Sequence, residues 1–196
     1  MVKVERKDEM KQDTQRWIEG GIFLVLFCLT VPVANWMIGN VGTICVPNSA
    51  CLIPVAPGLM APSGVIMIGA ALVLRDLVQR RLGIVYGFAA IIAGTAISAL
   101  VAPPALVIAS ASAFLISETA DFAVYTPLAK RQLVAAVVAS SLVGLVLDSI
   151  IFLWLAFGSL DFLLGQIVGK AWMVLLSIPF VAYLRRRDER LGLAPA

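Results

Sequence analysis

The chain has 196 residues, 61% of them hydrophobic and 14% charged, with a formal net charge of +3. Soluble domains carry about 25% charged residues, so this composition, with a mean hydropathy of +0.98, reads as an integral membrane protein without a separate soluble domain. Histidine is absent and the three cysteines form no cluster. That argues against a transition-metal site and excludes histidine-dependent triads, and no cofactor is expected.

In chain order, residues 1–19 are polar and mixed in charge and read as a cytoplasmic tail. No small-x-small cleavage site follows the first apolar run, so a cleaved signal peptide is not expected. Cys28 ends the run VLFC, where bulky Phe27 argues against lipoprotein cleavage, and is expected to be a packing residue. A bilayer-crossing helix needs about 20 mostly apolar residues. Six runs qualify: Gly20–Ile38, Pro62–Leu82, Ile84–Val101, Pro104–Tyr125, Leu133–Phe157 and Leu160–Leu184. Pro62 is expected in the first turn of the second span and Gly83 at its end, and Pro127 is expected to stop the fourth.

Positive charge tests this count. The tail carries Lys3, Arg6, Lys7, Lys11 and Arg16; the second junction Arg80 and Arg81; the fourth Lys130 and Arg131; the C-terminus four more arginines. With six spans all of these fall on one side, and the connections around 39–61, 102–104 and 158–160 hold no Lys or Arg. The positive-inside rule then puts both termini in the cytoplasm. The expected fold is all-α: residues 20–184 as a six-helix transmembrane domain, with a basic cytoplasmic tail at 185–196. Basic ends that flank spans account for the net charge without a nucleic-acid partner.

The first outer connection, NVGTICVPNSACLIPVAPGLMAPSG, is uncharged and rich in proline, including Pro47, Pro54, Pro57 and Pro62. It is either a lid folded back over the bundle or an ordinary packed loop. Cys45 and Cys51 lie in it on the oxidising side, and spacing leaves a disulfide between them open. Small residues at Ala90/Gly94, Ala109/Ala113 and Gly165/Gly169 have the spacing that lets helices approach closely.

Apart from Arg80, Arg81 and Asp161 at the span ends, six charged residues fall inside the spans: Arg75, Asp76, Glu118, Asp121, Asp148 and Lys170. On insertion scales each costs ~2.5–3.5 kcal/mol at a helix centre, so such groups face a cavity or a partner. Arg75 and Asp76 stand near the cytoplasmic end, where Arg75 could snorkel. Glu118, Asp121 and Tyr125, at spacings of three and four, share one helix face, and Gln166 and Lys170 share another. A structural ion pair to Lys170 would account for one acid and leave the others, so at least one acid is expected to serve a ligand, a proton or an ion. Asn35, Asn40, Tyr125, Gln166 and Ser149 could complete a polar pocket, whereas Ser98, Ser110, Ser112 and Ser117 are expected to bond their own helix backbone.

The runs APSGVIMIGAALVLRDLVQRRLG, SETADFAVYTPL, VGLVLDSIIFLWLAFG and GQIVGKAW resemble the queuosine-precursor transporter family, also called the vitamin-uptake-like transporter family. The resemblance covers about residues 58–184. It rests on the combination of R-D, E-x-x-D-x-x-x-Y, D-S-x-x-F and Q-x-x-x-K in successive spans. It implies a fold similar to the six-helix substrate-binding components of energy-coupling-factor transporters. It also implies import of a 7-deazaguanine base, 7-cyano-7-deazaguanine or its aminomethyl relative, across the inner membrane.

The chemistry fits that substrate. A guanine-like edge offers two adjacent donors beside an acceptor, a carboxylate supplies a matching fork, and Lys or Gln can donate to the acceptor. The expected substrate-binding set is Glu118, Asp121, Tyr125, Asp148, Gln166, Lys170 and Asn35. Glu118 stands first for the fork, with Asp121 holding Lys170 or the second half of the site. Tyr125, Phe122, Phe152 or Trp172 could stack on the ring. The alternatives are a substrate-binding subunit with separate energising partner proteins, or a proton-coupled carrier of another small molecule. Catalytic residues are not expected, since neither G-x-S-x-G nor a paired-aspartate motif is visible. Oligomeric state stays open.

Overall fold

A computed structural model describes residues 2–45 and 50–192 of the chain. Six helices carry the fold: α1 (Val2–Asn40), α2 (Val65–Leu82), α3 (Ile84–Val101), α4 (Val107–Leu128), α5 (Leu133–Phe157) and α6 (Leu163–Leu191). Three short strands, β1 (Ile44–Cys45), β2 (Cys51–Ala56) and β3 (Leu59–Pro62), lie between α1 and α2. The bounds of α3 and α5 coincide with the spans expected from hydropathy. Pro62 ends β3 instead of opening α2, and Pro127 lies inside the last turn of α4. Helix α1 begins well before the apolar stretch, so most of the polar N-terminal segment is helical, and α6 likewise runs past Leu184. Residues 193–196 of the expected basic tail, and Pro47 in the outer connection, lie outside the described residues.

Five helices are long and apolar enough to cross a membrane: Gln12–Asn40 within α1, then α3, α4, α5 and α6. Helix α2 does not qualify, because its 18 residues include Arg75, Asp76, Arg80 and Arg81. It is nevertheless the helix most enclosed by the others. Twelve of its residues are buried, all four of these charges among them, and it packs against α1, α3, α4, α5 and α6. A helix surrounded by helices need not be apolar, because its charges meet partners instead of lipid. Gly83, at φ 92°, joins α2 directly to α3. That left-handed conformation is strained for any residue with a Cβ, which is why a glycine ends α2.

The outer connection corrects the all-α expectation. It folds into an antiparallel sheet in the order β1-β2-β3. In its register Cys45 stands opposite Cys51, and the two form a disulfide across a Cα–Cα distance of 4.0 Å. Directly opposed strand residues come this close only in pairs that do not exchange backbone hydrogen bonds. The sheet packs on α6 and α1. Gly165 meets the backbone carbonyl of Met60, Gly169 meets Val55 and Val65, and the Trp172 indole donates to the Val55 carbonyl at 3.0 Å. The Gly165/Gly169 spacing thus seats the hairpin and α2 together. Gly94 does receive another helix: the Phe114 ring of α4 lies where its Cβ would be.

Candidate functional site

Three polar layers follow one another along α2. The first surrounds a cavity of about 40 Å³. Its polar lining is Asn35 from α1, Ser98 from α3, Ser110 from α4, Asp148 from α5, and Gln166 and Lys170 from α6, with Phe114 and Phe152 as aromatic walls. The Lys170 amine donates to Asp148 Oδ2 at 2.5 Å, to Gln166 Oε1 at 2.5 Å and to Ser149 Oγ at 2.8 Å. It is only 1% exposed, so its three donors are all used. Close packing fixes its position, since a Cβ on Gly69 of α2 would stand 2.6 Å from the Lys170 carbonyl. Asn35 donates to the Val31 carbonyl, and its own side-chain oxygen is buried without a partner. The cavity edge thus combines a cation, a carboxylate and an unused acceptor.

The second layer is a buried cluster centred on Arg75. Its Nε donates to Glu118 Oε2 at 3.2 Å, its Nη1 to Gln79 Oε1 at 3.0 Å and its Nη2 to Asp121 Oδ1. Nη2 also lies 2.7 Å from Asp76 Oδ1, an ionic contact without hydrogen-bond alignment. Ser140 of α5 donates to the other Asp76 oxygen at 3.0 Å. The Phe122 and Tyr125 rings stand 5.5 Å from the guanidinium carbon, within reach of a cation–π attraction. Arg75, Asp76, Asp121 and Tyr125 are wholly buried and Glu118 is 1% exposed. Arg75 stands seven positions along α2 from Ile68 at the cavity, and Ser140 eight positions along α5 from Asp148. At 1.5 Å per residue the cluster sits about 10–12 Å from the cavity along the bundle.

The third layer closes the same end of the bundle. Arg80 and Arg81 both donate to Asp188 of α6, at 2.7–3.0 Å. Arg81 and Arg187 also pair with Glu19 of α1, at 2.8 and 2.6 Å. This network ties α1, α2 and α6 together.

Of the residues expected to bind substrate, Asn35, Asp148, Gln166 and Lys170 line the cavity. Glu118, Asp121 and Tyr125 lie together in the deeper cluster. Two expectations need correction. Asp121 holds Arg75, while the partner of Lys170 is Asp148. Arg75 does not snorkel to an interface, because three carboxylates draw it into the bundle. Nearness to Arg80 along the sequence misled the reading; the only signal for Arg75 was the charge itself. Ser98 and Ser110 face the cavity, and the hydroxyl of Ser117 bonds to its own helix as expected. Asn40 is exposed and bonds to the Trp36 carbonyl, and Trp172 lies on the outer surface.

A family model described as "Putative vitamin uptake transporter" matches residues 85–184, just over half of the chain. A search of the curated proteins and of the solved structures returns no match. The matched stretch takes in α3, α4, α5 and the apolar part of α6. It therefore includes Glu118, Asp121, Asp148 and Lys170, which these helices bury. With five helices apolar enough to cross a bilayer, this is a multi-pass membrane protein, and it belongs to the vitamin uptake transporter family.

Proposed function

We propose that the protein imports a flat guanine-like base, a 7-deazaguanine precursor of queuosine, across the inner membrane. The observation that carries this reading is the cavity edge of Lys170, Asp148, Gln166 and Asn35 between two aromatic side chains. Lys170 would donate to the ring carbonyl, and Asp148 or the Asn35 oxygen would accept the adjacent ring N–H and amino group. Phe114 and Phe152 would lie against the ring faces. Asp148 replaces Glu118 as the proposed fork, because Asp148 lines the cavity and Glu118 is held by Arg75. Asp121 and Tyr125 would act from below, by fixing Arg75.

At about 40 Å³ the cavity is far below the ~300–1,000 Å³ of ligand pockets. Base entry therefore requires its walls to part, as alternating access demands. The hairpin β2–β3 is the natural moving wall, since Pro62 lines the cavity. In this reading α2 is a sixth span and both termini are cytoplasmic, as the Lys/Arg asymmetry requires. The Cys45–Cys51 disulfide then faces the oxidising side.

The test is uptake of labelled 7-cyano-7-deazaguanine by cells that cannot make the precursor, read also as queuosine in their tRNA. Expression of this chain should raise both. No rise, with the protein shown to be in the membrane, would remove the substrate assignment. A reporter active only outside the cytoplasm, fused after Ala196, should stay silent in the same cells.

A further inference from the structure

The Arg75 cluster does not balance. Asp76, Glu118 and Asp121 place three carboxylates around one guanidinium, a formal charge of −2 among side chains no more than 1% exposed. Among the described residues, neighbouring elements do not supply the missing positive charge. On α2, Arg80 and Arg81 are engaged by Asp188 and Glu19. From α6, Lys170 is engaged by Asp148 of α5. Helix α3 brings the Phe88 ring, against Phe122, and α5 brings the hydroxyls of Ser140 and Ser141.

Hydrogen bonding marks the same layer independently, through an unpartnered carboxylate oxygen. Asp121 Oδ2 and the Tyr125 hydroxyl are fully buried with no hydrogen-bond partner, and so is the Ser141 hydroxyl. Burying an unpaired charge is unfavourable, and the usual relief is to neutralise the group. A proton on one carboxyl reduces the charge and lets that group donate as well as accept.

We propose that the Arg75 cluster is a proton-binding site and that its proton is carried inward with the substrate. The part concerning transport rests on the function proposed above; the proton site itself does not. The route begins at the cavity. Asp148 lines it, and Glu118 is the carboxylate of the cluster on the helix that also supplies Phe114 and Ser110 to the cavity. Glu118 in turn bonds to Arg75, one turn of α4 below the cavity wall at Phe114. A proton from the outer side would pass from Asp148 to Glu118 and be held among Glu118, Asp121 and Asp76. Its departure toward the Arg80–Asp188 end would leave the carboxylates as they began, so one proton enters and one leaves per cycle.

Two measurements test this. Infrared spectra of the purified full chain at neutral pH should contain the C=O stretch of a protonated carboxylic acid. Asp76→Asn, Glu118→Gln and Asp121→Asn each remove one negative charge, so each should weaken that band, whereas Asp161→Asn should not. Absence of the band, or its full persistence in all three amide variants, overturns the proton site. In proteoliposomes, an acidic outside should raise uptake of 7-cyano-7-deazaguanine at least about fivefold, and adding the base should acidify the lumen. In the amide variants the ratio of uptake with and without the gradient should fall to one. Uptake by the wild-type protein that ignores the gradient, with no lumen acidification, overturns the coupling. If the base is not carried at all, the substrate assignment falls and the infrared result decides the proton site alone.

Discussion

Lys170 and Arg75 are both buried cations, yet their surroundings differ. Lys170 faces a single carboxylate, Asp148, and borders a cavity. Arg75 faces three carboxylates in a closed layer. A balanced pair beside a cavity can open to a ligand, because water or substrate can take over either partner. An unbalanced cluster sealed by neighbouring helices cannot release its cation, but it can exchange a proton. The proposed function and the proposed proton site therefore assign the two layers separate tasks, substrate recognition to the first and proton binding to the second.

Removing each cation should break the comparison in opposite ways. The largest expected effect is that of Arg75→Gln, which strands three carboxylates. Breaking a buried pair costs about 3–5 kcal/mol, so folded protein in the membrane and its melting temperature in detergent should fall steeply. Adding Asp121→Asn to that variant should recover part of the loss. No destabilisation by Arg75→Gln would show that the cluster does not hold the helices together.

The effect of Lys170→Met should be smaller on stability and larger on uptake, because Asp148 can be neutralised from the cavity. Uptake affinity should drop about tenfold or more, since losing a charged hydrogen-bond partner costs at least ~1.4 kcal/mol. Combining it with Asp148→Asn should restore stability and leave uptake impaired. Normal uptake by Lys170→Met, at normal protein levels, would make this lysine structural only. The smallest effect belongs to Asp161→Asn. Asp161 is exposed beyond the end of α5 and forms no ion pair among the described residues. The change should stay within about 0.5 kcal/mol in melting and leave uptake unchanged.

Hydropathy alone determined the membrane character of this chain and the bounds of α3 and α5, because burial in lipid demands a continuous apolar run that is local in sequence. Helical spacing alone put Gln166 beside Lys170 and Glu118 on one face with Asp121 and Tyr125. Hydropathy also identified the six charges that interrupt apolar spans, but not the buried Asp188, which lies in the segment read as a tail. The choice of partner was not legible. Arg75 stands 43 and 46 residues from Glu118 and Asp121, and Lys170 stands 22 from Asp148. Such pairings depend on how α2, α4, α5 and α6 cross, and no local pattern encodes that. The outer sheet was hidden for a related reason. Its strands are short and proline-rich, and what fixes them is a disulfide and the glycine-lined surface of α6, neither of which a hydropathy pattern records. Only the tertiary structure decided that α2, the helix without an apolar stretch long enough to cross a membrane, is the most enclosed, because charges that meet one another across a bundle no longer have to meet lipid.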